Sequence, residues 1–451
     1  MNILSIYCSH DGCVTYISEN KIIFHTQIDR YNKFKHAAFP VKELIEEIEK
    51  LEIDIILLSH GSMSAFRSWC EILSSNKKLK NIPNNYFSNN YHHLLHAYCS
   101  LTWNKKLKNI LVCDGTGTKH KNLIERESYY VFDKTINHIV TESNEIGLRY
   151  EKFTGKHFDN PLDCGKTMAW SLYNPKASKI QKNYENDMSS LIEKWNIQDS
   201  LMFTGGCAQN VLYNSKLLNK FKNLFCDPFN GDFGLSLGAA NFYIYNKIKN
   251  DNIYLGIPQE LDLDVFHKYK NLTVSPGEVA KILLNEPVAI FQSRSEQGQR
   301  GLGNRSLLMN PTHPEAHKKL NAIKKREWFR PFALSILKEK AHEWFDMVLD
   351  ESPFMMYVFD IKENKKNILT SGLSKNNKSR IQTVSIQNNK HYYELIKSFY
   401  NLTDVPILVN TSLNLPGEVL VETLYDLKKL FMNSSLNYIY FPEIKKLIKK
   451  S

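Results

Sequence analysis

Five arginines are spread along residues 294–332, against only three glutamates. The arginines are Arg294, Arg300, Arg305, Arg326 and Arg330. Glycines stand among them at positions 298, 301 and 303, and glycine lets the backbone approach a ligand closely. Arginine forks match phosphate and carboxylate oxygens bidentately. The stretch therefore predicts an oxyanion-binding cradle, with a basic surface loop or a nucleic-acid patch as the alternatives.

Aromatic residues beside the last two arginines favour the cradle over a solvated loop. Trp328 and Phe329 separate Arg326 from Arg330, and charges among apolar side chains need partners. Glu327 is an adjacent partner, so an internal ion pair between Arg326 and Glu327 is the interpretation for that arginine.

Two histidines four residues apart could share a metal ion. His92 and His96 lie in a predicted helix over residues 91–103, so both imidazoles project from one face. Asp114 follows a buried strand and Asp232 begins a later helix, so each carboxylate could complete the coordination. Two imidazoles and two carboxylates suit iron, manganese or zinc. The alternative is that these are ordinary surface histidines.

A second histidine motif lies near the start of the chain. His10 and Asp11 stand in a polar turn between two apolar strands, residues 2–7 and 14–17, where a ligand can be met. An imidazole with an ordinary pKa of ~6.5 suits a general base that acts on a hydroxyl. The alternative is a structural role in which His10 bonds the backbone of the hairpin.

The composition is that of a folded protein with two or three domains. Its 451 residues are 42% hydrophobic and 23% charged, and the net charge of +11 favours anionic ligands. Neither a signal peptide nor a run of ~18 apolar residues is recognisable, so no membrane association is expected. Eight cysteines without a CxxC pair predict reduced thiols in a cytoplasmic protein. No feature indicates the oligomeric state.

Alternating strands and helices predict an α/β fold. Small-residue turns follow two buried strands, at residues 114–117 (DGTG) and 204–206 (TGG), and a third, DFG at 232–234, opens a helix. Together they resemble the phosphate and adenosine loops of the actin/Hsp70/sugar-kinase (ASKHA) superfamily. Residues 250–275 are interpreted as a linker, and the predicted domains are residues 1–255 and 276–451.

Four longer segments carry a more specific resemblance. They are GQRGLGNRSLLMNP, LNAIKKREWFRPFALSIL, SRIQTV and VPILVNTSLNLPGE. They resemble the O-carbamoyltransferase family of the nodulation and cephamycin type (NodU/CmcH type). The resemblance implies a C-terminal α/β domain similar to threonylcarbamoyl-AMP synthase (YrdC-like), which makes carbamoyl-adenylate from carbamoyl phosphate and ATP with Mg²⁺. It also implies an N-terminal ASKHA-like domain that transfers the carbamoyl group to an acceptor hydroxyl.

The resemblance also implies roles for individual residues. The metal ligands, for which it favours Fe²⁺, are His92, His96, Asp114 and Asp232. The catalytic pair, from an HDAS-like opening motif, is His10 and Asp11. The nucleotide-binding residues are Gly115, Thr116, Gly117, Lys166, Gly205, Gly206 and Asn210. The residues for carbamoyl phosphate and ATP are Arg294, Arg300, Arg305, Lys324, Arg330, Arg380, Asn410, Ser412 and Asn414.

The chain departs from the family pattern at several positions. Cys164 stands where the EGKTM motif has its glutamate, and Pro416 replaces an arginine before Gly417, which removes one expected cation. Asn310 and Thr312 replace residues of a DPR motif. A neighbouring cation in place of the missing arginine, or a weaker adenylating step, are the two interpretations of Pro416.

The acceptor is not indicated by the sequence, and a sugar, a natural product or a modified nucleotide in nucleic acid all fit. Two other functions compete with O-carbamoyl transfer. One is a threonylcarbamoyl-type enzyme that modifies tRNA with the same two modules. The other is a catalytically inactive nucleotide-binding module, which the substitutions at Cys164 and Pro416 would explain.

Overall fold

The computed structural model describes residues 1–87, 91–103, 107–120 and 122–450. The chain forms two compact units, Met1–Leu255 and Gly256–Ser451. Both are mixed α/β structures, which confirms the predicted fold class. Within the described part of the chain, no helix has the length and apolar character needed to cross a membrane.

The first unit opens with a five-stranded sheet. Its strands are β1 (Asn2–Cys8), β2 (Cys13–Ser18), β3 (Lys21–Gln27), β4 (Ile55–His60) and β5 (Asn84–Phe87). They lie in the order β3-β2-β1-β4-β5, with the first three antiparallel and the last two parallel to β1. The helices of this part are α1 (Asp29–Asn32), α2 (Lys42–Glu49) and α3 (Met63–Ser75).

A second sheet of the first unit repeats this pattern. Its strands are β6 (Asn109–Cys113), β9 (Glu127–Asp133), β10 (Thr135–Glu142), β11 (Ser200–Thr204) and β12 (Asn223–Cys226), and a small pair, β7 (Lys119–His120) and β8 (Leu123–Ile124), lies in between. The order is β10-β9-β6-β11-β12, again a meander followed by two parallel strands. This duplicated topology matches the predicted actin/Hsp70-like fold.

Six further α-helices complete the described part of the first unit. They are α4 (His92–Leu101), α5 (Ile146–His157), α6 (Cys164–Trp170), α7 (Pro175–Lys194), α8 (Val211–Leu217) and α9 (Leu235–Tyr243). Asn174 caps α7 by accepting from two backbone N–H groups, and Pro175 occupies its first position. In α9, a Cβ at Gly238 would collide with the carbonyl oxygen of Leu95, so glycine allows α9 to pack closely against α4.

The second unit has one nine-stranded mixed sheet, ordered β13-β21-β20-β14-β15-β19-β16-β18-β17. The strands are β13 (Lys270–Thr273), β14 (Val288–Phe291), β15 (Arg305–Met309), β16 (Ala333–Leu337), β17 (Val358–Asp360), β18 (Lys378–Val384), β19 (Ile407–Ser412), β20 (Tyr438–Phe441) and β21 (Lys446–Lys449). The helices are α10 (Pro276–Leu283), α11 (Ala316–Lys324), α12 (Ala341–Trp344), α13 (Lys390–Thr403) and α14 (Leu424–Met432).

The predicted linker over residues 250–275 is partly wrong. Four of its residues form β13, which pairs antiparallel with β21 at the edge of the sheet. All four residues of β13 are exposed, so the strand has no alternation of apolar and polar side chains. Without that alternation the sequence offers no periodicity from which a strand could be predicted.

Candidate functional site

Four predicted metal ligands of the first unit meet in a buried cluster. His92, His96, Asp114 and Asp232 offer ligand atoms that all lie within 4.8 Å of one another. The Nε2 atom of His96 is 3.1 Å from Oδ2 of Asp114 and 3.5 Å from Oδ1 of Asp232. The Nε2 atom of His92 is 3.4 and 3.5 Å from the same two oxygens. This donor set fits a single divalent metal ion.

Three local features position the four ligands. His92 is the first residue of α4 and His96 lies one turn later, so the two rings face the same side. Asp114 directly follows β6, and Asp232 begins a short 3-10 helix that leads into α9. Three chain segments that are distant in sequence therefore converge on one point.

The four side chains compensate one another electrostatically. Burial alone would lower the pKa of His96, but hydrogen bonds to Asp114 and Asp232 raise it to about 9. Burial alone would raise the pKa of Asp114, but hydrogen bonds from His92 and His96 hold it well below its usual value. A bound cation would take over the role that the imidazole protons have in this arrangement.

Tyr7 supports two of these ligands, and the sequence analysis did not identify it. Its hydroxyl donates to Oδ2 of Asp232 at 2.9 Å and lies 3.4 Å from Nδ1 of His92. Tyr7 is 2% exposed on β1. Tyr7 stands at the end of an apolar strand, just before the His10 turn. Because a buried tyrosine hydroxyl needs a hydrogen-bond partner, this position could have indicated a contact with the site.

His10 and Asp11 lie at the edge of the same cluster. The Nδ1 atom of His10 is 3.4 Å from Oδ2 of Asp11, and its Nε2 atom is 3.4 Å from Oδ2 of Asp232. The negative charge of Asp232 is the main reason why the pKa of His10 is raised to about 10. Asp11 also accepts from His36 at 2.8 Å. Burial opposes ionisation of Asp11, yet its two histidine partners lower its pKa to about 2.

The predicted phosphate and adenosine turns converge on Asp114. Gly115, Thr116 and Gly117 follow it directly, and a Cβ at Gly206 would lie 2.8 Å from Oδ1 of Asp114. Gly205 has φ +86° and a Cβ there would collide with the carbonyl of Cys113, so only glycine lets this turn approach β6.

Two predicted nucleotide-binding side chains contact other protein groups. Asn210 caps α8 and exchanges hydrogen bonds with Gln181. Lys166 pairs with Asp163 at 2.9 Å.

Glu151 is a further residue that the sequence analysis missed. It lies on α5, and its carboxylate covers Gly115 so closely that a Cβ at Gly115 would collide with it. Burial, with the negative charge of Asp114 adding to it, raises the pKa of Glu151 to about 7. Burial also raises the pKa of Cys164 to about 12, and the charge of Glu151 contributes. A carboxylate therefore lies near position 164 although Cys164 itself has none.

The second unit contains a cluster of four arginines, called here the arginine cluster: Arg300, Arg326, Arg330 and Arg380. Burial, with the charge of Arg330 adding to it, lowers the pKa of Arg300 to about 10 and that of Arg326 to about 9. The pKa of Arg380 is lowered well below its usual value by burial and by the other three. Its Nε atom is buried and has no hydrogen-bond partner among the described residues.

The pairing of Glu327 differs from the prediction. Its carboxylate is 3.3 Å from Nη1 of Arg330, whereas Nη2 of Arg326 donates to Oγ of Ser412 at 3.2 Å. Ser412 in turn donates to Oδ1 of Asn414 at 2.8 Å. Arg326 is therefore joined by hydrogen bonds to the predicted anion ligands Ser412 and, through it, Asn414.

Other predicted anion ligands of the second unit have structural partners. Arg305 is fully buried, donates to the carbonyls of Gln292, Ser293 and Glu422, and stacks 3.6 Å from the ring centroid of Phe291. Lys324 donates to the carbonyls of Ser412 and Asn414, at 2.6 and 2.7 Å. Asn410 bonds Ser335 and Gln382 in the core, and Arg294 donates to the carbonyl of Gly256 at 3.2 Å.

Comparison with known families gives matches in both units. The family model for the carbamoyltransferase C-terminus matches residues 279–448, and the model for the carbamoyltransferase N-terminus matches residues 180–241. The uncharacterized protein MJ1051 of Methanocaldococcus jannaschii is 28% identical, over 93% of this chain and 94% of that protein.

Nodulation proteins and one solved structure are also similar. Nodulation protein NolNO of Sinorhizobium fredii is 35% identical over 52% of this chain and 38% of that protein, so the chain spans less than half the length of this relative. The activator of the 2-hydroxyisocaproyl-CoA dehydratase from Clostridium difficile has a TM-score of 0.35 and 12% identity, over 55% of this chain and 96% of that one.

Proposed function

Because the chain belongs to the carbamoyltransferase family, we propose that it is an ATP-dependent O-carbamoyltransferase that acts in two steps. In the first, the second unit makes carbamoyl-adenylate from ATP, carbamoyl phosphate and one water molecule, with release of pyrophosphate and phosphate. In the second, the first unit transfers the carbamoyl group to an acceptor hydroxyl.

The arginine cluster is the observation that carries this proposal. Four partly buried guanidinium groups repel one another, and Glu327 forms an ion pair with one of them, Arg330. Buried like charges are costly unless a ligand compensates them. ATP, with its Mg²⁺, and carbamoyl phosphate supply the multiple anionic oxygens that such a cluster would bind. Phosphoryl and adenylyl transfer need mainly such positioning and charge stabilisation from the protein.

His92, His96, Asp114 and Asp232 would hold the metal ion, and Fe²⁺ is the ion that the family resemblance favours. When bound, the ion would supply Lewis-acid polarisation of the carbamoyl carbonyl. The hydroxyl of Tyr7 donates to Asp232 and lies beside Nδ1 of His92. Hydrogen-bonded neighbours of this kind orient metal ligands. The Gly115 and Gly206 turns adjoin Asp114, so a nucleotide bound there would lie beside the metal ligands.

The acceptor is proposed to be a hydroxyl compound, such as a sugar, a natural product or a nucleotide. All eight cysteines are free, which supports the expected reducing, cytoplasmic environment.

The first experiment measures pyrophosphate release from ATP by the purified protein. Release should depend on carbamoyl phosphate and should not be supported by threonine plus bicarbonate. The opposite dependence would favour the threonylcarbamoyl-type alternative, and no release with either would favour an inactive nucleotide-binding module. Mass spectrometry of candidate acceptors for one added carbamoyl group then tests the second step.

A further inference from the structure

Glu151 differs from two buried carboxylates of the first unit, Glu125 and Glu127, because it has no hydrogen-bond donor among the described residues. It makes no hydrogen bond or ion pair with the described residues, and its carboxylate lies over Gly115. Glu127, in contrast, accepts from the backbone of Asn144 and Ile146 at 2.8 and 3.1 Å. Glu125 accepts from Thr118 and Ser128, both at 3.2 Å. A carboxylate without a donor from the protein can accept a hydrogen bond or a proton from a ligand of the site.

His10, the predicted general base, has both ring nitrogens facing carboxylates. Its Nδ1 and Nε2 atoms are each 3.4 Å from an oxygen, of Asp11 and of Asp232 respectively. The oxygen of Asp232 that faces His10 is Oδ2, whereas Oδ1 faces His92 and His96. Each ring nitrogen of His10 thus has a protein carboxylate as its neighbour, which suits a positioning role.

We propose that Glu151 accepts the proton of the acceptor hydroxyl during carbamoyl transfer and that His10 is a positioning residue held between Asp11 and Asp232. This inference rests on the proposed function. In the step, the acceptor oxygen forms a bond to the carbamoyl carbon, and the bond from that carbon to the phosphate oxygen of the adenylate breaks. AMP leaves with that electron pair, and the hydroxyl proton moves to Glu151.

The position of Glu151 also relates to a departure from the family motif. Position 164, where the motif has a glutamate, is Cys164 in this chain, and Thr154 Oγ1 lies 3.7 Å from its sulfur. Glu151 and Thr154 lie three residues apart on α5, and residues at this spacing lie on one face of a helix. The carboxylate near position 164 therefore belongs to Glu151 on α5, and not to a residue of α6.

The test compares nucleophiles that need a base with one that does not. Carbamoyl-adenylate is supplied chemically to the metal-loaded protein. Glycerol and water are the O–H nucleophiles, and hydroxylamine attacks through its neutral nitrogen to give hydroxyurea. Glu151→Gln should slow both O–H reactions by about 10²–10⁴-fold, the usual contribution of a general base, and leave hydroxyurea formation near the wild-type rate. Glu151→Asp should recover part of the O–H activity.

Controls separate this role from others. Glu71→Gln makes the same chemical change on an exposed position of α3 and should alter neither reaction. Metal content and thermal unfolding of each variant are measured in parallel.

Several results would overturn the proposal. One is an unchanged O–H rate in Glu151→Gln, and another is an equal loss with all nucleophiles or a loss of metal. A selective loss of O–H activity in His10→Gln with Glu151→Gln unaffected would return the base role to His10. If the wild type itself accelerates none of these reactions, the proposed transfer function has failed, which is a different result.

Discussion

The two units contain buried charge in opposite ways. In the first unit, two imidazoles and two carboxylates lie within 4.8 Å and neutralise one another. In the second, burial and the charges of neighbouring arginines lower the pKa values of Arg300, Arg326 and Arg380. The first cluster can exchange its protons for a metal ion, whereas the second needs an anion to reach the same neutrality.

This difference is the basis on which we propose a different ligand for each unit, and it does not depend on the identity of the acceptor. A mixed cluster of nitrogen and oxygen donors is selective for a cation, and a cluster of guanidinium groups is selective for phosphate-like groups. Variants in one cluster should therefore affect one half-reaction and spare the other.

The largest expected effect comes from breaking the arginine cluster. Arg330→Ala should slow carbamoyl phosphate-dependent release of pyrophosphate from ATP by about 10²–10³-fold, because it removes a cation aimed at charge that develops in the transition state. The metal content of the first unit should stay at the wild-type level. Lys318→Ala is the matched control, since Lys318 is exposed and pairs with Glu315 alone. Normal pyrophosphate release by Arg330→Ala would show that the cluster does not bind the reacting anions.

The converse effect should follow from breaking the mixed cluster. His96→Ala should lower metal content by well over tenfold, since loss of a ligand costs more than the roughly 10–100-fold typical of residues that only orient ligands. Pyrophosphate release should persist while transfer to the acceptor is lost. Metal analysis and the two half-reaction assays measure these outcomes.

Chemically supplied carbamoyl-adenylate sharpens the contrast between these two variants. It should restore product formation by Arg330→Ala and fail to restore it in His96→Ala. Loss of the same half-reaction in both variants would contradict the division of labour between the units.

A smaller effect is expected when only the support of the metal ligands is removed. Tyr7→Phe keeps the ring and deletes the hydroxyl that bonds Asp232 and lies beside His92. Metal affinity should fall about tenfold, the lower end of the range for residues that orient ligands. Tyr86→Phe is the control, because that hydroxyl belongs to an exposed side chain. Equal metal affinity in wild type and Tyr7→Phe would limit the hydroxyl to a packing role.

The sequence predicted the mixed cluster better than the arginine cluster, for a physical reason. The spacing of His92 and His96 fixes both rings on one helix face, and Asp114 ends a strand, so local structure already directs these groups. Arg305 and Arg380 have no such local constraint. Which guanidinium faces a backbone carbonyl and which faces another arginine depends on how the strands of the nine-stranded sheet pair.

Neither the contact of Glu151 with Gly115 nor the strand β13 could be predicted from the local sequence pattern. Glu151 reaches Gly115 only because α5 packs beside the turn after β6, a contact between segments about 35 residues apart in sequence. The exposed β13 gains its strand conformation from pairing with β21, 173 residues away at the Thr273 and Lys446 pair. Tertiary packing, and not propensity, decides both.

The smallest expected effect is a change in the free energy of unfolding, which should have opposite signs for variants in the two clusters. Without ligand, Arg326→Met should leave the second unit unchanged or more stable by about 1 kcal/mol, because replacing a buried, repelled charge with an apolar chain is often neutral or stabilising. Asp114→Asn should destabilise the metal-free first unit by about 1–3 kcal/mol, because it leaves hydrogen-bonded imidazoles without their charged partner. Hydrogen exchange measured by mass spectrometry reports on the segments of each unit separately.

Addition of pyrophosphate should then make the second unit of the wild type more stable than that of Arg326→Met. At a concentration 100 times its dissociation constant, it should stabilise the wild type by about 2.7 kcal/mol, and Arg326→Met by clearly less, since the variant lacks one of the cations that bind the anion. Lys318→Met, which removes an exposed charge, should respond as the wild type does. If Arg326→Met is instead destabilised without ligand and responds fully to pyrophosphate, then Arg326 is a structural residue bonded to Ser412, and the arginine cluster is held together by contacts within the protein.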